Sequence, residues 1–284
     1  MTNTILALVD GSIYSKSVCD HAAWAAGRMD AEVELMHVID RVSRDGKSDL
    51  SGSIALGART ALLDKLSSLD EQRSKLLQQK GRAILDDARE VIETAGHTVA
   101  SAHLRQGELV EAVHALENRA AMIMIGKRGE EADFASLKLG NHVEGLVRAS
   151  HRPVFVASRA FKPLDRAIIA YDGAASSQRV VDHVARNALF AGLKIEVITV
   201  GQRTRETERW LEDASAILTG AGLDVETHIL AGQPEEVLGK RVEEAGSCMV
   251  VMGAYGHSRI RSFVIGSTTS EMLRSCKAPV LLMR

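Results

Sequence analysis

The chain has 284 residues, which is enough for about two domains that each bury a core of their own. Its 35 basic residues balance 37 acidic ones and aromatic residues make up 4%, so neither electrostatic attraction to nucleic acid nor a base-stacking surface is expected. The three cysteines lack the CxxC spacing of a zinc or redox site, and the sequence shows neither a signal-peptide pattern nor a long apolar run. We therefore expect a cytoplasmic protein without nucleic-acid or membrane partners.

Short runs rich in β-branched residues alternate with segments of helical period, which indicates βαβ units and a parallel sheet. The first five predicted strands are Ile5–Val9, Val33–Val38, Thr98–Leu104, Met122–Ile125 and Val154–Ala157. The next five are Ala167–Ala170, Ile195–Val200, Val225–Leu230, Cys248–Met252 and Val280–Met283. Helices are expected to fill the gaps, the first beginning near Ser12 and Ser15 and its counterpart near Ser176.

The two sets of five strands belong to one unit that the sequence contains twice. Asp10 and Asp172 each follow the first strand of a unit, at an offset of 162 residues, whereas Gly126 and Gly253 follow the fourth strand at an offset of 127. The smaller offset means that the first unit carries about 35 extra residues, which we interpret as a loop and helix insert at about 42–80.

The repeat predicts an α/β protein made of two tandem five-stranded parallel sheets with helices on both faces and strand order 3-2-1-4-5. We assign the first domain to residues 1–160 and the second to residues 161–284. Pairing of the last strands of the two units with each other would cover two exposed sheet edges. A monomer with this internal pseudo-dimer and a homodimer fit the sequence equally well.

A pattern of glycines follows the fourth strand of the second unit. Gly253, two residues, Gly256, nine residues and then Gly266 and Ser267 lead into an apparent helix. Glycines let a backbone approach a ligand closely, and the amides at a helix N-terminus favour anionic groups. The pattern therefore indicates a phosphate-binding loop, although its spacing is neither that of a P-loop nor that of GxGxxG.

The predicted topology brings an acid to this loop. In open α/β sheets, ligands bind beyond the carboxyl ends of the strands, where the winding reverses, here between strands one and four. These strands end at Asp172 and Gly253 in the second unit. The acid can accept hydrogen bonds from a base or ribose, while the loop amides and the hydroxyls of Ser267 and Thr268 can hold phosphates. A nucleotide satisfies both ends.

The glycine spacing, the aspartate after strand one and the final Pro-Val strand together resemble the universal stress protein family over both units. The resemblance implies a Rossmann-like fold and bound ATP, accompanied by Mg²⁺. It implies adenine and ribose contacts near Ala170, Asp172 and Val200. It implies phosphate contacts from Gly253, Gly256, Gly266, Ser267 and Thr268.

The first unit departs from this pattern. Its loop has one extra residue, its helix begins with an asparagine instead of a hydroxyl residue, and three acids follow the second glycine, namely Glu130, Glu131 and Asp133. Basic side chains that would offset this repulsion are Lys127, Arg128 and Lys138. We expect a degenerate site that does not bind ATP, composed of Asp10, Gly126, Gly129, Gly140 and Asn141.

Other interpretations of these residues remain open at this point. Gly253 and Gly256 are also compatible with a tight strand-to-helix connection that needs no ligand, and the aspartates with helix caps. The amphipathic region Ala61–Ala95 predicts a core-facing helix, with a groove for a partner or an apolar ligand as the alternative. The histidines show no ligand spacing, and no metal site is assigned.

The resemblance implies a nucleotide-responsive regulator of stress survival that acts on an unidentified protein partner. The glycine loop supplies a cradle but no positioned base, so we expect no enzymatic activity beyond slow ATP hydrolysis. The alternative is a ligand-independent protein-interaction or apolar-ligand-binding module, with structural glycine loops and a partner surface on the insert.

Overall fold

The protein is described here by a computed structural model, covering residues 3–40, 56–127, 141–254 and 267–284. Side chains of residues 56–64, 141 and 267 are not part of the description. The elements of the first repeat are β1 (Thr4–Leu8), α1 (Ser15–Met29), β2 (Glu32–Ile39), α2 (Leu56–Thr94), β3 (Val99–Gln106), α3 (Leu109–Glu117), β4 (Ala120–Gly126), α4 (Asn141–Ala149) and β5 (Val154–Ala157).

The second repeat follows with the same alternation of strands and helices. Its elements are β6 (Arg166–Ala170), α5 (Ala175–Arg186), β7 (Lys194–Val200), α6 (Arg205–Gly220), β8 (Asp224–Leu230), α7 (Pro234–Ala245), β9 (Cys248–Gly253), α8 (Ser267–Ser275) and β10 (Val280–Met283). A short 3-10 turn at Ala188–Phe190 precedes β7.

The ten strands form one sheet in the order β3-β2-β1-β4-β5-β10-β9-β6-β7-β8. Each repeat has the order 3-2-1-4-5 with parallel pairing throughout, so the predicted fold class is confirmed. The antiparallel pair β5–β10 joins the repeats, with Phe155 opposite Leu281. This pairing of the two last strands is also confirmed, and it leaves β3 and β8 as the edges of the sheet.

Two apolar layers cover the sheet, one on each face. The first layer packs α1, α2, α5 and α6 on one face, and the second packs α3, α4, α7 and α8 on the other. Central strands such as β1 and β9 are apolar and almost wholly buried because helices cover both faces, whereas the edge strands β3 and β8 are mostly exposed or half-buried.

One expectation about helices is confirmed and another needs correction. The first helix begins at Ser15, and Ser12 lies in the turn before it, where its backbone N–H donates to Asp10. The core-facing helix at Ala61–Ala95 is α2, whose buried side chains, among those described from residue 65 onward, lie near its C-terminus and include Ile84 and Ile92. The leucines at positions 66, 69 and 76 are 45%, 52% and 65% exposed, because the helix is about 58 Å long and extends past the sheet.

The domain boundary at residues 160 and 161 remains a prediction. The insert expected at about 42–80 contains α2 from Leu56, and its residues 42–55 lie outside the described residues.

Candidate nucleotide site

The turn after β6 is built around Asp172. Its Oδ1 accepts hydrogen bonds from the N–H of Ala174 (3.0 Å) and from Ser177 Oγ (2.7 Å). Gly173 follows with φ +73°, a conformation that favours glycine. The N-cap of α5 is Ala174, without a side-chain cap, so Asp172 holds the turn that precedes the helix and does not cap it. The capping interpretation is therefore wrong for Asp172.

The first repeat builds the same turn. Asp10 Oδ1 accepts hydrogen bonds from Ser12 N–H (2.9 Å) and from Ser15 Oγ (3.0 Å), and Gly11 has φ +79°. The residue assigned as the N-cap of α1 is Tyr14, again without a side-chain cap. The two aspartates thus occupy equivalent structural positions, and any difference between the repeats must come from their surroundings.

In each repeat, a side chain on the second strand hydrogen-bonds to the backbone of the residue that precedes the aspartate. In the second repeat Thr199 Oγ1 donates to the carbonyl of Tyr171 (2.9 Å), and in the first repeat His37 Nδ1 donates to the carbonyl of Val9 (2.8 Å). Thr199 and His37 are both buried and differ by the repeat offset of 162. Each aspartate therefore projects from an anchored strand end.

Gly253 lies where three elements of the second repeat meet. A Cβ added to it would be 2.8 Å from Ser176 Oγ and 2.9 Å from Ser176 Cβ, so the end of β9 touches the first turn of α5. Thr269 Oγ1 in the first turn of α8 donates to the Gly253 carbonyl (3.3 Å). The carboxyl end of β9 and the N-termini of α5 and α8 thus lie next to one another.

The other predicted site residues lie around this convergence where they are described. Ala170 and Val200 end the neighbouring strands β6 and β7, and both are half-buried. Ser267 begins α8, and Thr268 follows it and is half-buried. Gly256 and Gly266, which belong to the predicted phosphate loop, lie outside the described residues.

The first repeat brings different side chains to the equivalent place. Asn141, His142 and Val143 stand at the start of α4, where the second repeat has Ser267, Thr268 and Thr269 at an offset of 126. His142 Nε2 is 3.7 Å from a carboxylate oxygen of Asp40, which follows β2. A histidine beside a carboxylate therefore stands where the second repeat has Thr268. Gly129 and Gly140 lie outside the described residues.

Lys127 follows Gly126, and its side chain reaches the second repeat. Its side chain is buried, and its Nζ donates to the carbonyl of Cys276, at the end of α8 in the second repeat. The helix C-terminus favours a cation at this position. That Lys127 also offsets the acids of its own loop stays a prediction. Arg128 and Lys138, together with those acids, lie outside the described residues.

The cysteines offer no thiolate to this site. All three are buried and free, and burial raises the pKa of the Cys19 and Cys248 thiols to about 12. Thiol nucleophilicity depends on the thiolate form, so neither group is suited to redox or nucleophilic chemistry near neutral pH.

A second cluster of polar side chains was not apparent from sequence spacing. His114 and Glu117 lie three residues apart on α3, and the fold brings His151 to them from the turn before β5. The i, i+3 spacing of the first two was visible in the sequence, but the approach of His151 depends on how α4 and β5 pack.

Comparison with known proteins agrees with this architecture. The model of the universal stress protein family matches residues 1–158 and 201–284. A universal stress protein of Synechocystis sp. is 34% identical over 284 residues, covering 99% of both chains. A universal stress protein of Mycolicibacterium smegmatis is 25% identical over 303 residues, covering 99% of this chain and 96% of its own.

Among solved structures, a universal stress protein from Archaeoglobus fulgidus covers 100% of this chain and 99% of its own, with a TM-score of 0.75 and 20% sequence identity. That likeness supports the fold over both repeats. The chain belongs to the universal stress protein family and has its tandem architecture, as the resemblance in sequence predicted. Within the described residues, no helix is both long and apolar enough to span a membrane.

Proposed function

We propose that this protein binds one ATP, accompanied by Mg²⁺, in its C-terminal repeat, and that it acts in the cytoplasm as a nucleotide-responsive regulator of stress survival. The observation that carries the proposal is the convergence at Gly253 of a strand end and two helix N-termini. Such N-termini present unpaired amides and the positive ends of helix dipoles, which suit a polyphosphate. The buried free thiols fit a reducing compartment.

The described residues fit a nucleotide in shape and in donor chemistry. A side chain at Gly253 would fill the space in front of Ser176, so only glycine leaves the strand end open beside the helix. Ala170 and Val200 offer half-buried apolar surface for a base, and Asp172 offers a carboxylate for ribose hydroxyls. Phosphates would be held at the start of α8 by Ser267 and Thr268, with the glycines 253, 256 and 266. The Mg²⁺ would neutralise phosphate charge.

We propose that the first repeat does not bind ATP. Asp40, beside His142 at the start of α4, adds negative charge near the place where phosphates would lie, and Lys127 Nζ donates to a carbonyl of the other repeat. Electrostatic repulsion between the carboxylate and a phosphate group disfavours binding in a confined site. One nucleotide per chain is the result.

We propose binding without rapid turnover. Asp172 is the acid that we assign to the ribose, and its Oδ1 already accepts two hydrogen bonds within the turn. A carboxylate held in this way is poorly placed to accept a proton from an attacking water. Hydrolysis should therefore be slow compared with the turnover of typical kinases.

The test replaces each aspartate in turn by alanine and measures MgATP binding by calorimetry. Both Asp172→Ala and Asp10→Ala remove an acceptor from the same turn, so each should cost about 1 kcal/mol of stability. Only Asp172→Ala should also weaken ATP binding, by about tenfold or more. Equal binding in both variants, or a loss only in Asp10→Ala, would contradict the proposed site. Gly253→Val is a poorer probe because it would displace Ser176 and disturb the fold.

A second candidate function is protein binding through α2. The exposed leucines at positions 66, 69 and 76 lie on a helix that extends past the sheet and favour such a contact. Replacing all three by glutamine should abolish partner recovery in co-purification without changing ATP affinity. If partner recovery is unchanged, the leucines are not the contact surface; Ile217→Gln on α6, another exposed apolar residue, serves as the control.

A further inference from the structure

Outside the nucleotide site, His114, Glu117 and His151 form a compact donor cluster. His114 Nδ1 is 2.7 Å from Glu117 Oε1, and His151 Nδ1 is 3.3 Å from the same oxygen. One ligand atom from each residue lies within 4.8 Å of the others. The cluster is located at the end of α3 and the turn before β5, at the amino ends of the strands. The cluster therefore lies at the opposite end of the strands from Asp172, which follows the carboxyl end of β6.

The carboxylate at the centre of the cluster is held by its surroundings. The Glu117 side chain is only 6% exposed, and its Oε2 accepts hydrogen bonds from Ser150 Oγ (3.0 Å) and from the N–H of His151 (3.3 Å). Arg152 Nε donates to the Glu117 carbonyl (3.0 Å). Bonds of this kind orient a ligand group before any ion arrives and are typical of metal sites. They leave Oε1 directed at the two imidazoles.

The surroundings of Glu117 also shift the pKa of its carboxyl. Burial raises the pKa of its carboxyl, but the hydrogen bonds from His114, His151 and Ser150 lower it by more, and the net shift is downward.

The distances suit a small divalent ion after a minor adjustment. Bonds of about 2.0–2.1 Å in a tetrahedron place neighbouring ligand atoms about 3.3 Å apart. The His151 to Glu117 distance already has this value, and the His114 to Glu117 distance would need to open by about 0.6 Å. The His114 and His151 side chains are 43% and 74% exposed, so an ion can enter and water can complete its coordination.

We infer that His114, Glu117 and His151 form a binding site for a divalent transition-metal ion, with zinc as the ion that fits the donor set. Two imidazole nitrogens and one carboxylate suit zinc and its neighbours, whereas magnesium and calcium favour oxygen ligands. Binding replaces each Nδ1–H to Glu117 hydrogen bond by a bond to the metal, with the imidazole proton moved to Nε2 or released to solvent.

The second repeat indicates which substitutions in this cluster are compatible with the fold. At the positions aligned with His114, Glu117 and His151 it has Arg241, Glu244 and Lys277. Arg241 NH1 is 3.2 Å from a Glu244 carboxylate oxygen. Arginine and lysine satisfy an acid by charge but do not act as metal ligands near neutral pH. If the histidines serve only as hydrogen-bond partners of Glu117, replacing them with the second-repeat residues arginine and lysine should leave the zinc affinity of the protein unchanged.

The experiment titrates ZnCl₂ into the chelator-treated, tag-free full chain and into the double variant His114→Arg/His151→Lys. The wild type should bind one zinc ion at micromolar concentration or below, and the double variant should bind at least tenfold more weakly. Co²⁺ added to the wild type should give the intense visible absorption of a tetrahedral site, absent from the variant.

His142→Gln serves as the matched control, because His142 is also exposed and also faces a carboxylate, that of Asp40. This variant should bind zinc like the wild type. Absence of zinc binding in the folded wild type, unchanged binding in the double variant, or an equal loss in His142→Gln would overturn the inference. If the double variant fails to fold, the single change His151→Gln, at a largely exposed side chain, should still weaken zinc binding; unchanged affinity would refute the site.

Discussion

Glu196 is the most deeply buried acid among the described residues, with 1% exposure on β7, the strand next to the edge strand β8. Three cationic or potentially cationic groups surround it: Arg166 NH1 at 3.3 Å, Arg241 Nε at 2.5 Å and His228 Nε2 at 3.4 Å. Its counterpart in the first repeat, Glu34, is also buried. A buried charge is tolerated only when it is paired, so these partners are part of the fold.

We predict that Glu196→Ala lowers the free energy of unfolding by about 3 kcal/mol, because it leaves two partly buried guanidinium groups without their partner. The matched change Glu243→Ala removes an exposed ion pair with Lys277 and should cost less than about 1 kcal/mol. Urea unfolding of both variants measures the difference. Equal losses would show that Glu196 contributes no more than a surface acid.

At the scale of elements, the aspartate turns are braced by the second helix of each repeat. A Cβ on Gly173 would lie 2.5 Å from Trp210 Cδ2 on α6, and a Cβ on Gly11 would lie 2.8 Å from Ile84 Cδ1 on α2. Both glycines have positive φ angles. The turn that carries the predicted ligand acid is thus fitted closely to a neighbouring helix, which fixes the position of the acid.

A comparison of Gly173→Ala with Gly222→Ala distinguishes the cost of close packing from the cost of backbone strain. Gly222 also has a positive φ, of +81°, but nothing lies within 4 Å of its added Cβ, so Gly222→Ala should cost about 1 kcal/mol from strain alone. Gly173→Ala should cost about 2 kcal/mol more, because the Trp210 ring must also move. Thermal unfolding monitored by circular dichroism compares the two. Equal shifts in the melting temperature would mean that Trp210 adapts freely.

Elements with strong local signals could be predicted from the sequence. β5, β10 and most of the central strands are short apolar runs, and Val154–Ala157 has the predicted bounds. Edge strands were harder, since β3 extends to Gln106 and alternates little between apolar and polar residues. The exposed leucines of α2 follow a helical period but cannot be distinguished from core leucines until the length of the helix relative to the sheet is known.

The sites show the same division between local and long-range information. Asp172 and Gly253 could be paired from topology, because the ends of adjacent parallel strands must meet. The direction of Lys127 and the approach of His151 to Glu117 could not be predicted, since each depends on the packing of distant elements. The residues in these two contacts are 149 and 34 positions apart in the sequence, and no local pattern of residues predicts contacts at such separations.

At the scale of the whole molecule, the two repeats form a single pseudo-symmetric body. The β5–β10 pair continues the sheet across the junction, and Arg28 Nε donates to the carbonyl of Leu189 (2.7 Å) from one repeat to the other. Arg284 NH1 donates to the carbonyl of Arg148 (3.3 Å) at another point of the junction. The repeats therefore share one framework, although they carry different side chains at equivalent sites.

A calorimetric titration of the nucleotide-stripped protein with MgATP tests whether this difference between equivalent sites controls nucleotide binding. We predict one ATP per chain, because the start of α8 carries hydroxyl residues while the start of α4 faces Asp40. Two ATP molecules per chain would show that the first repeat also binds. Absence of binding in protein shown to be folded would contradict a nucleotide role for the convergence at Gly253.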